Sequence, residues 1–226
     1  MTTQTKAAPA RRINVRKLVI LAVLSAIAYL TVFFIRIPMV EFLKYEPKDV
    51  IITIAAFLFG PLAAVPMSIV VSFIEMVTIS STGPIGMLMN VIATVGFASV
   101  AGLVYKKKRT LSGAVLGLVA GALTMTALML LWNYFITPFY MGVPRAVVAD
   151  MLLPAFLPFN LIKSGLNSAI VLLLYKPVSN ALHKTGLVER SSNQAGSNKL
   201  SVTTILIGLL ILATFILLAL VLAGKI

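Results

Sequence analysis

Leu157-Pro158-Phe159-Asn160-Leu161-Ile162-Lys163-Ser164-Gly165-Leu166-Asn167 decides how the chain is read. Lys163 stands at the centre of a run, Met151 to Tyr175, that carries no other charge. A lysine inside an apolar span costs roughly 2.5–3.5 kcal/mol on insertion scales, so it needs a partner and usually a purpose. Asn160, Lys163 and Asn167 fall at i, i+3 and i+7, which places them on one face of a helix. That face must meet another polar group, a water-filled cavity or a ligand.

The rest of the composition agrees with a membrane setting. Of 226 residues, 60% are hydrophobic and 11% charged, and the mean hydropathy is +1.04. Soluble domains carry about 25% charged residues. The alternation of a β-barrel is absent, so the spans are expected to be helices. With no cysteine there is no disulfide framework and no thiolate site, and one His with six acidic residues argues against a metal cluster. The net charge of +13 does not point to nucleic acid. The basic residues flank apolar runs, where they set topology and meet anionic headgroups of the lipid bilayer.

Outward from Lys163, the sequence divides into a tail (1–14), a six-helix membrane region (15–182), a Ser- and Asn-rich flexible linker (183–200) and a further apolar span (201–226). Arg11, Arg12, Arg16 and Lys17 precede an uncharged run from Leu18 to Ile35. Ala26-Ile27-Ala28 resembles a leader cleavage site, but the apolar run continues past it, so it is read as an uncleaved first helix. Gly60-Pro61 splits the next run into a short helix, about 48–59, and a longer one, about 61–79. A fourth helix is expected over about 85–105 and a fifth over about 111–137. Prolines 138, 144, 154 and 158 predict a broken outer loop, with the sixth helix starting near Pro158. The basic clusters at the N-terminus, Lys106–Arg109 and beyond helix six then share one side, expected to be cytoplasmic, and the C-terminus falls outside. Lys163 lies about five residues into helix six, roughly 8 Å below its outer end.

Between the first two helices, residues 36–49 mix charge with Met39, Phe42 and Tyr45, side chains a solvent loop does not need. The segment reads either as a lid that folds back or as an interfacial loop. Other polar residues belong to the same outer half. Asn133 needs a partner in lipid, and beside it Trp132 is either an interfacial anchor or a stacking surface for a flat heteroaromatic ring. Glu75 either pairs with Lys163 or reaches the interface. Asn90 either bonds across helices or lines a pocket. Asp49 is most simply an N-terminal charge favoured by the helix dipole. Ala22 and Ala26 form a small-residue face on helix one. Gly113, Gly117 and Gly121 form another on helix five, read as internal packing. Nucleotide-binding, zinc-protease and serine-hydrolase signatures are all missing, so no enzyme is indicated and the chain has no ATP site of its own.

Five segments in order carry a resemblance: Leu43-Lys-Tyr-Glu-Pro-Lys-Asp49, Phe57-Leu-Phe-Gly-Pro-Leu62, Ser81-Thr-Gly-Pro-Ile-Gly86 with Met89-Asn90, Trp132-Asn133-Tyr134-Phe135, and Leu157-Pro-Phe-Asn-Leu-Ile-Lys163. Over residues 15–180 the chain resembles the substrate-binding S components of energy-coupling factor vitamin transporters, and within them the riboflavin-binding branch. The resemblance implies an all-α, six-helix membrane bundle, to which this chain adds one C-terminal helix. It implies capture of riboflavin or FMN from outside. It further implies docking on a transmembrane coupling subunit driven by two cytoplasmic ATPase subunits, and closure of the loop between helices one and two over the ligand. Positions matching Asn133, Asn160 and Lys163 contact the flavin in that branch, with Tyr45, Trp132, Asn90, Glu75 and Asn167 as further candidates here. Those matching Ala22 and Ala26 contact the coupling subunit. An S component for another vitamin, and a scaffold whose polar face binds a partner helix, are the competing readings.

Overall fold

A computed structural model describes residues 15–40, 43–184, 186, 201–222 and 224. The N-terminal tail, Phe42 and nearly all of the linker lie outside these. The elements are α1 (Val15–Phe34), β1 (Ile37–Val40), β2 (Leu43–Tyr45), α2 (Lys48–Phe59), a 3-10 turn (Pro61–Ala63), α3 (Ala64–Thr78), α4 (Gly83–Lys107) and α5 (Leu111–Phe135). They continue with α6 (Thr137–Met141), α7 (Arg145–Met151), a π-helical turn (Leu152–Phe156), α8 (Leu157–Lys184) and α9 (Val202–Leu222). Among the described residues, six stretches are long and apolar enough to cross a membrane, and the chain is a multi-pass, all-α membrane protein.

The short helix α2 is the centre of the bundle. It packs against α1, α3, α4 and α8, and nine of its twelve residues are buried. A helix apolar all round is a helix with no lipid or water face, and its first turn therefore carries Lys48 and Asp49 into the interior. Gly60 ends it at φ 96°, a conformation that favours glycine, and Pro61 opens the next turn.

Around α2 the other helices pack in antiparallel succession. The closest pair is α4 and α5. A methyl group at Gly117 would stand 2.6 Å from the carbonyl oxygen of Ala101, and one at Gly121 would stand 2.5 Å from that of Phe97. The glycine face of α5 is thus consumed by internal packing.

Two expectations change. Within residues 36–49, Ile37–Val40 and Leu43–Tyr45 pair as an antiparallel hairpin, Ile37 opposite Tyr45, leading into α2. Residues 138–157 are broken only at Gly142–Pro144, between α6 and α7, and α7, the π turn and α8 then run on without a break from Arg145 to Lys184. Pro154 sits within the π turn, whose wider spacing of backbone donors tolerates a missing N–H. Pro158 lies in the first turn of α8, but the continuous helix begins upstream of it, at Arg145.

Candidate functional site

Beneath the hairpin, α8 presents Asn160, Lys163 and Asn167 on one buried face, as their spacing requires. Asn160 and Lys163 line a cavity whose other walls include Asn133 and Met129 of α5, Met89 and Asn90 of α4, and Glu75 of α3. The hairpin roofs it with Leu43, Lys44 and Glu46, and Arg36 closes the rim. The structure therefore brings five of the residues singled out by sequence, Asn90, Asn133, Asn160, Lys163 and Glu75, to one cavity.

Three others stand elsewhere. Tyr45 and Asn167 do not line the cavity; the Tyr45 hydroxyl donates to Asn167 Oδ1 at 3.1 Å just behind it. Burial, with the Asp49 charge adding to it, pushes the Tyr45 hydroxyl well above its ordinary pKa, so it stays a donor. Trp132 packs half-buried against the main apolar core and does not line the cavity. Ala22 and Ala26 are exposed on the outside of α1.

The charges are organised differently from the sequence expectation. Glu75 does not pair with Lys163. It takes Lys48, buried completely at the start of α2, and also meets Arg36 Nη2 at 3.5 Å and Asn90 Nδ2 at 3.2 Å. The partner of Lys163 is Asp49, whose Oδ2 lies 3.6 Å from Nζ. Asp49 does sit in the first turn of α2, but it is also fully buried, accepting from Thr94 Oγ1 at 2.6 Å and Asn167 Nδ2 at 3.2 Å. Glu46 completes the set, meeting Arg36 at 2.9 Å and Lys48 at 3.1 Å. Burial alone would raise the Glu46 pKa, but Lys48, Lys163 and Arg36 together hold it down at about 2.

Three cations, Arg36, Lys48 and Lys163, thus face three carboxylates, Glu46, Asp49 and Glu75. One signal could have found them. Lys48 and Asp49 open a helix with no polar face, so that helix had to carry them inward.

The amides are held by their own helices. Asn133 Nδ2 donates to the Met129 carbonyl at 2.7 Å, and its Oδ1 accepts from Thr137 at 2.8 Å. Asn160 Nδ2 donates to the Phe156 carbonyl at 2.7 Å, which leaves its Oδ1 as an acceptor. The cavity itself is narrow, about 50 Å³. Small-molecule sites run to roughly 300–1,000 Å³, so a ring system is admitted only when the roof and its side chains part.

A buried polar cavity under a hairpin, inside a helical membrane bundle, is suited to a small polar molecule rather than to a partner helix. The chain belongs to the family described as "ECF transporter, substrate-specific component", which matches residues 16–175. The family is the substrate-binding part of a transporter and is not catalytic in general.

Among its relatives is the Staphylococcus aureus (strain TCH60) "Riboflavin transporter RibU", 30% identical over 186 residues that cover 77% of this chain and 97% of that protein. Another is the Bacillus subtilis (strain 168) "Riboflavin transporter FmnP", 27% identical over 175 residues, or 72% of this chain and 91% of that one. A solved chain from "Structure and mechanism of the S component of a bacterial ECF transporter" superposes with a TM-score of 0.65 at 29% identity, covering 75% of this chain and 99% of that one. The helix α9 lies beyond the family match.

Proposed function

We propose that the chain is the riboflavin-capturing subunit of an ECF-type importer, and that the cavity under the hairpin is its flavin site. The observation that carries this is the convergence of Asn133, Asn160 and Lys163 from α5 and α8 on one roofed cavity, in a chain whose relatives are riboflavin transporters. A flavin presents carbonyl acceptors and an imide N–H along one edge of a flat ring. Lys163 supplies donors and Asn160 Oδ1 an acceptor for such an edge, while Leu43, Met89, Met129 and Phe159 supply apolar faces.

Charge balance favours an uncharged ligand. Buried Lys48 and Lys163 and the half-buried Arg36 already have carboxylate partners, so an added anion would have to compete for them. FMN is accommodated only through Lys44, which lines the cavity in the hairpin and has no ion pair among the described residues. Lys48 is committed to Glu46 and Glu75, and Arg145 lies over the Tyr134 ring at 5.4 Å, away from the cavity.

The hairpin end is the extracellular side in this reading. The opposite end carries Lys106–Arg109 and Lys184, as the cytoplasmic side of a membrane protein should. The exposed Ala22 and Ala26 form the surface for the transmembrane coupling subunit, and the energy comes from two ATPase subunits on the cytoplasmic side. Packed against α8, α9 leaves this face of α1 uncovered. Flavin absorbance co-purifying with the detergent-solubilised chain tests the reading; a ligand of another class identified by mass spectrometry would replace it.

A further inference from the structure

The helix α9 is not an idle anchor. It runs antiparallel to α8 in a fixed register. A methyl group at Gly208 of α9 would stand 2.7 Å from Leu173, and one at Gly165 of α8 would stand 2.3 Å from the ring of Phe215. Eight residues back along α8 thus correspond to seven forward along α9. Both contacts exist only because a glycine faces a large side chain, so the register is set by shape.

Continuing in that register, seven more residues along α9 and eight back along α8, brings the last residue of α9, Leu222, to the level of Leu157. There it packs with Met39 against the buried trio Tyr45, Ile162 and Leu166, and against the cluster of Leu43, Val148, Phe156 and Phe159. These clusters join the hairpin to α8, and α9 touches β1 directly. The remaining length of α9 offers Leu206, Leu210 and Leu217 to the surroundings.

We propose that α9 is a lateral brace for the hairpin: Phe215 seated on Gly165 registers the helix, and Leu222 holds the hairpin down at the side where it meets α8. This rests on the hairpin being the roof of the ligand site. Phe215 and Leu222 are positioning residues. They reach the cavity only through Met39, Tyr45, Ile162 and Leu166. The brace slows opening of the roof, and so slows release of whatever lies beneath it.

The chain has no cysteine, so Leu43→Cys gives a single reporter on the hairpin, at a position that is buried while the roof is shut. In the full-length, detergent-solubilised protein with no ligand added, its rate of labelling by a maleimide reads roof opening directly. Leu222→Ala is expected to raise that rate at least about fivefold, equivalent to losing about 1 kcal/mol of apolar contact. Gly165→Ala, which displaces Phe215 from the α8 side, is expected to do the same. Leu210→Ala, on the exposed face, is expected to leave it unchanged. The same variants are then loaded with riboflavin, where faster dissociation is expected and association no slower than in the parent. Unchanged labelling in both Leu222→Ala and Gly165→Ala overturns the brace. Faster labelling in a chain that binds no riboflavin overturns the ligand assignment and leaves the brace standing.

Discussion

Lys163 Nζ lies 3.6 Å from Asp49 Oδ2, although 114 positions separate the two residues in sequence. The pair joins α8 to the first turn of α2 in the middle of the bundle. It also turns the cost of one buried charge into that of a compensated pair.

Breaking this pair from one side should therefore cost more than removing it whole. Asp49→Asn leaves Lys163 without its carboxylate and is expected to destabilise the chain by about 3–5 kcal/mol. Asp49→Asn combined with Lys163→Met is expected to recover a large part of that loss. Thermal unfolding in detergent, read by tryptophan fluorescence, compares the two; equal losses would mean that the contact carries no electrostatic weight.

Lys163→Ala and Asn133→Ala are each expected to weaken riboflavin binding tenfold or more, about 1.4 kcal/mol each. Trp132→Phe, which alters only core packing beside the site, should change affinity less than either. If both cavity variants bind like the parent chain, the site lies elsewhere.

Lys44→Ala separates the two flavins. It removes the cavity's spare cation and is expected to weaken FMN binding several-fold while leaving riboflavin nearly unaffected. Equal losses for both would argue that Lys44 shapes the roof rather than receiving a phosphate.

Acid should loosen the roof. Glu46 is held from an ordinary 4.5 down to about 2 by its cations when the hairpin is closed. A carboxylate depressed in this way contributes stability that is complete above its ordinary value and is lost as pH falls through the lowered one. Riboflavin release is thus expected to be flat from pH 7 to about pH 5 and to accelerate from about pH 4 downward. In Glu46→Gln the acceleration should be lost and release should be fast throughout. An acid response that survives in Glu46→Gln would assign it to another group.

Ala22→Arg or Ala26→Arg should abolish uptake by cells supplied with the coupling subunit and ATPases, with riboflavin binding unchanged. Normal uptake would remove this face of α1 from the docking surface.

Much of this architecture is legible from residue patterns. Spacing alone puts Asn160, Lys163 and Asn167 on one face, and Gly60-Pro61 alone marks the turn between α2 and α3. What pattern does not show is partner choice across the fold. In sequence Glu75 is the acid that suggests itself for Lys163, while Asp49 reads as a charge at a helix N-terminus. The decision comes from where α2 sits, because a central α2 hands Asp49 to α8 and Lys48 to Glu75. Pro144 does mark a break, opening α7 after the turn at Gly142, but Pro154 and Pro158 do not, since a π turn absorbs Pro154 without stopping the helix. Trp132 points to the core because Asn133, one position on, takes the cavity-facing direction, and successive helix residues diverge by about 100°.

The central claim is tested most directly by titrating the purified full-length chain with riboflavin and following quenching of the flavin's fluorescence. Saturable binding of one riboflavin per chain, weakened tenfold or more by Lys163→Ala, is the predicted result. No saturable binding by the folded parent chain, or binding indifferent to Lys163→Ala, Asn133→Ala and Asn160→Ala alike, would contradict it.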